Sequence, residues 1–487
     1  MRIAFLVAAL NDLTLVAADI GNAYLNAPNK EKIYTVAGPE FGEDQGTIYL
    51  VTRALYGLKS AGAAWRSFFA QVLIDLRFRP TRGDPDVYIR EATRPNGQRY
   101  YEWMLTYVDD ILLMSHDPKP TVEALQKQFR LKEDSLGAPN RYLGASIKVF
   151  TDASGYESWA ISSDDYVKHA VANVEHDLET QGTKLKGKAH RPFPKEYRPE
   201  LDATPLLMEE EIAKYQGYMG VFRWMIEIGR VDILTEVSLL SSHQAAPREG
   251  HLEACYHIFA YLRKNKHMAL VMHPSRVNMR EDRFKVADWT DFYGDETEEI
   301  PYDAPTPLGT SVKVTAWVDA NHAGNMVTRR SHTGYLFYLN NAPILFYSKK
   351  QNTVEASTFG SEFIAARTAV EVNEGLRFKL RMFGIPIDGP TDMMCDNNSV
   401  VNSAQRPESV LSKKHLAICY HRVRESVSRG ACRFGKIETE LNLADLFSKV
   451  LPEPSRHRLL NGIVWREPYG LREVERDDKL NKGTSEE

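Results

Sequence analysis

Two neighbouring aspartates, Asp109 and Asp110, sit between the apolar runs 103–106 and 111–114, and no other feature constrains the chain as tightly. The flanks read as two short strands, with the acid pair where a hairpin turns. Adjacent exposed anions repel, so a tip that carries them is costly unless a cation binds there. A divalent ion suits the position, because hard cations take carboxylate oxygens. A solvated acidic turn is the ordinary alternative for a bare Asp-Asp pair.

A third acid belongs with them. The apolar run 13–18 reads as a strand that ends in Asp19, from where a side chain can reach the hairpin tip. Tyr24, five positions on, falls at a tight turn or helix start, where its ring could pack under a sugar and exclude a 2′-hydroxyl. Taken singly, Asp19 is also a plausible helix-capping carboxylate and Tyr24 an ordinary core aromatic.

The C-terminal half repeats the theme. Residues 316–318 read as a strand ending in Asp319, and 359–383 as a long amphipathic helix carrying Glu362. Residues 393–395 form an apolar strand ending in Asp396, and Asp445 starts a short helix after a loop. Alone, Glu362 is a surface helix residue and Asp445 an N-terminal helix acid. As an ordered quartet on strand, helix, strand and helix, they resemble the four metal-binding acids of ribonuclease H.

The N-terminal half resembles the palm of a reverse transcriptase, specifically of copia-type retrotransposons. The resemblance rests on Asp19, on the Tyr107–Asp110 tip and on a train of blocks in order: residues 49–60 (YLVTRALYGLKS), Ala64-Trp65 with a helix over 68–78, Asp84 to Tyr88, Arg141 to Gly144, and 215–232. Val231 stands where that family carries proline; Pro247, His251 and 260–262 follow. In the C-terminal half, residues 328–335, 348–351 and 413–415 are similar to the same family's nuclease.

The resemblance implies a fold: an α+β palm and thumb of a right-hand polymerase, the palm ferredoxin-like, followed by an α/β ribonuclease H-like domain with a mixed sheet. It implies residues 1–150 as palm with the fingers largely missing, 151–280 as thumb and connection, 281–312 as a linker or surface insertion, 313–452 as ribonuclease H and 453–487 as a charged tail. Within these bounds, 125–132 and 143–150 read as continuing the palm's sheet side, 231–244 as one helix, His415 and His421 as lying on a helix, and the tail as frayed at its end, 482–487. The resemblance implies RNA-directed DNA synthesis at Asp19, Asp109 and Asp110, and cleavage of RNA in hybrids at Asp319, Glu362, Asp396 and Asp445. Each site would hold two Mg²⁺ or Mn²⁺ ions. The implied partners are an RNA template, a DNA primer, an RNA–DNA hybrid and deoxynucleoside triphosphates, in a cytoplasmic virus-like particle with access to the nucleus. Tyr24, Arg329, Arg330, Lys349, Lys350 and His415 are the implied substrate contacts; for His415 and His421 a structural role is the ordinary alternative. The family carries a fingers segment ahead of the first aspartate. Weak polymerase and intact nuclease function are therefore expected, with upstream integrase or fingers segments of the same polyprotein as further partners. A non-catalytic or nuclease-only remnant that binds RNA–DNA duplex is the competing expectation.

Bulk properties agree with a globular chain. A length of 487 residues suggests about three domains. The four cysteines form no CxxC pair, so neither a zinc site nor a disulfide framework is indicated, and a reducing compartment fits. No apolar run approaches the roughly 20 residues that span a bilayer, and residues 3–10 read as a helix rather than a leader. The net charge of −4 does not favour polyanions, so nucleic-acid contact must rest on local patches. One basic stretch, Lys184, Lys186, Lys188, His190, Arg191, Lys195 and Arg198, is interleaved with Gly and Pro and reads as a loop, either a flexible linker or a phosphate contact.

Overall fold

The computed structural model describes residues 1–187, 189–467 and 470–474. Helix α1 (Arg2–Leu10) leads into β1 (Thr14–Asp19), the short α2 (Ala23–Asn26), a two-stranded ribbon of β2 (Tyr34–Val36) and β3 (Ile48–Leu50), and α3 (Ala61–Asp75). Strands β4 (Arg79–Pro80), β5 (Val87–Thr93), β6 (Arg99–Tyr107) and β7 (Asp110–Ser115) then meander back, and α4 (Lys119–Gln126) follows. β1 and β4–β7 form one antiparallel sheet in the order β1-β7-β6-β5-β4. Its strands β1 and β7 read as apolar runs without alternation because both faces are covered. Val16, Ala18, Ile111 and Leu113 face a core with Trp65, Phe69, Val122 and Leu125 of α3 and α4. Leu15, Ala17, Leu112 and Met114 face a second core that continues into the C-terminal half.

Two expectations for this region change. The helix expected over 68–78 begins at Ala61 and ends at Asp75. Arg77 then takes a left-handed conformation (φ +67), the Phe78 amide donates to the Leu73 carbonyl, and Phe78 turns back into the core. Residues 125–132 do not add a regular strand. α4 runs to Gln126, and 130–137 lies along the free edge of β1 by isolated pairings, Ile20 with Leu131 and Ala17 with Gly137.

A second sheet follows, built from β8 (Arg141–Tyr142), β9 (Ala145–Thr151) and β10 (Glu157–Ser162). Residues 143–150 therefore belong here and not to the first sheet. Helices α5 (Asp164–Thr180), α6 (Glu209–Glu227), α7 (Leu234–Leu240) and α8 (Glu249–Lys264) pack around their own core of Tyr215, Phe222, Ile258 and Phe259. The single helix expected over 231–244 is broken into 3-10 turns flanking α7. Its first turn carries the wholly buried pair Arg230–Asp232, 2.7 Å apart. β11 (Ala269–Met272) then joins β10.

Residues 281–312 are packed rather than slack. They contain one short helix, α9 (Thr290–Tyr293). Glu298 ion-pairs with Arg377 and Arg381 at 2.6 and 2.5 Å, and Phe284 and Trp289 are buried.

The third sheet consists of β12 (Val314–Asn321), β13 (His332–Leu339), β14 (Ala342–Lys350), β15 (Thr391–Cys395) and β16 (Cys432–Lys436), in the order β14-β13-β12-β15-β16. It is mixed: β12–β14 are antiparallel, whereas β12, β15 and β16 run parallel. The long α10 (Thr358–Met382) starts where the Ser357 hydroxyl accepts from the Gly360 amide, and carries Lys379 and Arg381 in its last turn. α11 (Asn398–Gln405), α12 (Ala417–Ser428) and α13 (Asp445–Ser448) complete this unit.

The C-terminal segment was expected as a charged tail. It forms α14 (Glu453–Leu460) and then β17 (Leu471–Glu473), an edge strand on β9 of the second sheet. The frayed end expected near 482–487 lies outside the described residues, as does Lys188 of the basic stretch. No described helix is long and apolar enough to cross a membrane.

Candidate metal centres

The first centre lies at the end of β1 and the β6–β7 turn. Asp19 and Asp110 are direct cross-strand partners, and the Ile20 amide donates to the Asp109 carbonyl at 2.9 Å. Like charges placed opposite each other destabilise a ladder. The hairpin tip is held in an unusual shape: Val108 has φ +56, a costly conformation for a β-branched residue. Trp65 supports it, its indole N–H donating to the Val108 carbonyl at 2.6 Å. Burial pushes the Asp110 carboxyl up to about 6, with Asp109 and Asp19 adding repulsion and Lys132 opposing it.

Lys132, which the sequence motifs did not single out, is 2.7 Å from Asp19 Oδ2. Asp19 Oδ1 is buried without a hydrogen-bond partner. Beside these acids opens a cleft of about 540 Å³, walled by the second sheet through Arg141, Lys148 and Glu473. Tyr24 lies on α2, its ring centroid 4.6 Å from that of Tyr56.

The second centre gathers one acid from each of four elements. Asp319 lies within β12, which runs two residues past the end expected at this acid, Glu362 is on the second turn of α10, Asp396 directly follows β15, and Asp445 opens α13. Carboxylate oxygens of Asp319, Asp396 and Asp445 lie within 4.8 Å of one another, and ligand atoms of Glu362, Cys395 and Asp396 form an overlapping group. Among the described residues, these are the two groupings of that tightness; Asp19, Asp109 and Asp110 do not form one.

The surroundings press charge on the second centre. Glu362 is held well above the usual carboxylate range by burial first, then by Asp319 and Asp396, and its Oε2 is buried with no partner. Asp445 is pushed up to about 7 by burial and by Asp319, against the pull of Lys449. Buried carboxylates that face one another with an unsatisfied oxygen fit a divalent cation by charge and by donor type. Asp319 also accepts from the Ser448 hydroxyl, and the Lys436 ammonium donates to the Asp396 carbonyl. Asn397, next to Asp396, caps α11 by accepting from the Ser399 and Val400 amides.

The geometry depends on a residue whose role the sequence did not disclose. Gly334 pairs with Asp319 across β12–β13, and a Cβ there would lie 2.6 Å from the backbone of Phe447 and Ser448. Only glycine lets α13 approach this closely, and that approach delivers Asp445.

The basic candidates divide. Arg330 and Lys350 line a cleft of about 450 Å³ that also includes Arg198, His243 and Lys449, bordering the second centre. Lys349 lines a neighbouring cleft under α6 and α7. Arg329 sits at a left-handed turn position (φ +54) and is exposed. His415 lies on a 3-10 turn rather than an α-helix, with Nε2 3.1 Å from the buried Glu355 carboxylate. His421, on α12, contacts the Tyr293 hydroxyl at 2.8 Å, a packing role.

Comparison with known proteins gives the chain a context. Residues 1–183 match the family of reverse transcriptases (RNA-dependent DNA polymerases). The Pol polyprotein of transposon TNT 1-94 from Nicotiana tabacum is 26% identical over 456 residues, covering 92% of this chain and 30% of the tobacco protein. That of transposon RE1 from Arabidopsis thaliana is 24% identical over 456 residues, covering 93% of this chain and 27% of the relative. The chain thus spans less than a third of the length of these relatives. Among solved structures, an N-terminal RNase H domain from Mycobacterium tuberculosis aligns with 31% of this chain and 98% of its own, at 12% identity and a TM-score of 0.23.

Proposed function

From a chain that is kin to copia-type retrotransposon Pol polyproteins over nine-tenths of its length, and whose first 183 residues match the reverse transcriptase family, we propose an RNA-directed DNA polymerase joined to a ribonuclease H. In this reading the first sheet with α3 and α4 is the palm, α5–α8 the thumb and connection, and the third sheet with α10–α13 the nuclease. The observation that carries the nuclease assignment is the meeting of Asp319, Glu362, Asp396 and Asp445 from four separate elements, with a buried oxygen left unsatisfied.

These four residues would hold a pair of Mg²⁺ or Mn²⁺ ions, and Asp19 and Asp109, with Asp110 in support, would hold the pair in the palm. Bound divalent ions supply an activated attacking oxygen and charge relief at the leaving one. The chain's own part is positional. Ser448 orients Asp319, Lys436 anchors the backbone at Asp396, and Gly334 seats α13. Arg330 and Lys350 offer phosphate contacts along the adjoining cleft, where a hybrid duplex is recognised through its backbone and 2′-hydroxyls. In the palm, Tyr24, packed beside Tyr56, would select the sugar of an incoming deoxynucleotide.

A second, nuclease-only reading in which the palm serves as a duplex platform draws support from one contrast. The palm acids do not gather as the nuclease acids do. The test uses purified protein, a labelled RNA–DNA hybrid and a primed RNA template. Mg²⁺-dependent cleavage of the RNA strand is expected, reduced by several orders of magnitude in Asp396→Asn, with primer extension weak by comparison. Robust extension beside an inert nuclease would reverse the assignment.

A further inference from the structure

Building on the nuclease reading, we propose that Lys449 is a built-in counter-cation of the second centre: it stands in for a divalent ion and has to leave before the centre fills. Lys449 follows α13 in extended conformation, and its side chain turns back over the acids. Its Nζ is 2.9 Å from Asp445 Oδ1 and 3.3 Å from Asp319 Oδ2, so one ammonium bridges two acids contributed by different elements. Those carboxylates are nearly sealed from water, with side chains 10% and 2% exposed, whereas Lys449 is 30% exposed and can move.

Two consequences follow from this placement. A single positive charge among four converging carboxylates limits their repulsion without cancelling it, and Glu362 Oε2 is still unpartnered. The ammonium therefore lets the nest fold before metal arrives. It also contends with an incoming cation for the same oxygens. Lys449 borders both the small cleft over the acids and the basic cleft lined by Arg198, Arg330 and Lys350. The second cleft gives a displaced side chain open space, and its positive walls favour the acid side until something neutralises them.

Mn²⁺ binding to the full chain, without nucleic acid, separates the possibilities. Asp19→Asn with Asp109→Asn serves as the parent, so that the nuclease centre dominates the count. Lys449→Met is expected to bind Mn²⁺ about tenfold or more tighter than the parent, and Lys449→Arg to stay within about threefold of it. Metal-free Lys449→Met should also melt below the parent and recover on adding Mn²⁺. Equal Mn²⁺ affinity in Lys449→Met and parent overturns the assignment of Lys449 while leaving the nuclease reading in place. Absence of Mn²⁺ uptake by both overturns the two together. Should Lys449→Met fail to fold, the neutral Lys449→Gln provides the same comparison with the same outcomes.

Discussion

Individual acids in the second centre make the protein's stability depend on pH in a definite direction. Burial and the facing Asp319 raise the Asp445 carboxyl to about 7, and Glu362 shifts the same way. The folded state thus holds protons that the unfolded chain releases near pH ~4. Their contribution to stability is present in acid and is lost as pH rises from about 4 through about 7. The metal-free chain should therefore show a falling Tm over this interval, and Asp445→Asn should flatten the fall. Metal acts in the opposite sense, because ligands must be ionised to bind it. The gain in Tm on adding Mg²⁺ is expected to grow between about pH 5 and about pH 7.5 in the wild type. A gain that does not vary with pH would argue against these acids as the ligands.

At the level of elements, α13 and the 281–312 strap are where close contact decides function. Gly334→Ala places a methyl group against the backbone of Phe447 and Ser448, which cannot yield as a flexible side chain would. Overpacking of this kind costs about 1–3 kcal/mol, and here it displaces the helix that carries Asp445. The expected outcome is a lower Tm together with loss of hybrid cleavage, read in parallel on one preparation. In the strap, Glu298 joins Arg377 and Arg381 of α10, which pull its carboxyl down to about 2 against burial. Glu298→Gln leaves Arg377, only 4% exposed, without its counter-charge. A loss of about 3 kcal/mol is expected by denaturant titration at neutral pH. That difference should shrink as acid protonates Glu298, from about pH 4.3 down to about 2.

Across the whole molecule, the first and third sheets share one core. Leu112 and Met114 of β7, Phe5 of α1, and Leu336 and Phe337 of β13 belong to the same buried cluster. The Trp103 indole donates to the Phe383 carbonyl at 3.1 Å, and the Tyr101 hydroxyl to the Thr306 carbonyl at 3.0 Å. β17, beyond the third sheet in the chain, returns to the second sheet, with Trp465 packed edge-on to Phe150. Such a chain should unfold with its two halves coupled. Trp103→Ala, a change in the first sheet, is expected to cost about 3–5 kcal/mol and to lower the temperature at which the proposed nuclease activity is lost. Nuclease heat-resistance that ignores this substitution would mean the shared core is not cooperative.

Much of the candidate chemistry was legible along the chain. Asp19, Asp109, Asp319 and Asp396 each end or follow an apolar run. Burial on both faces imposes such runs on central strands, so the sites announce themselves as breaks in hydrophobicity. The order of strand, helix, strand and helix around Asp319, Glu362, Asp396 and Asp445 was readable for the same reason. Tertiary structure alone decided the rest. Lys132 gained its meaning from Asp19, more than a hundred residues away, and Lys449 from a similarly distant Asp319 together with the nearby Asp445. Gly334 gained its meaning from an approaching helix, and residues 281–312, 453–467 and 470–474 from surfaces they cover. Local periodicity reports which face of an element is buried, but not what buries it. A long-range ion pair, a close backbone approach and an added edge strand leave no local pattern, because their partners become neighbours only when the chain has folded.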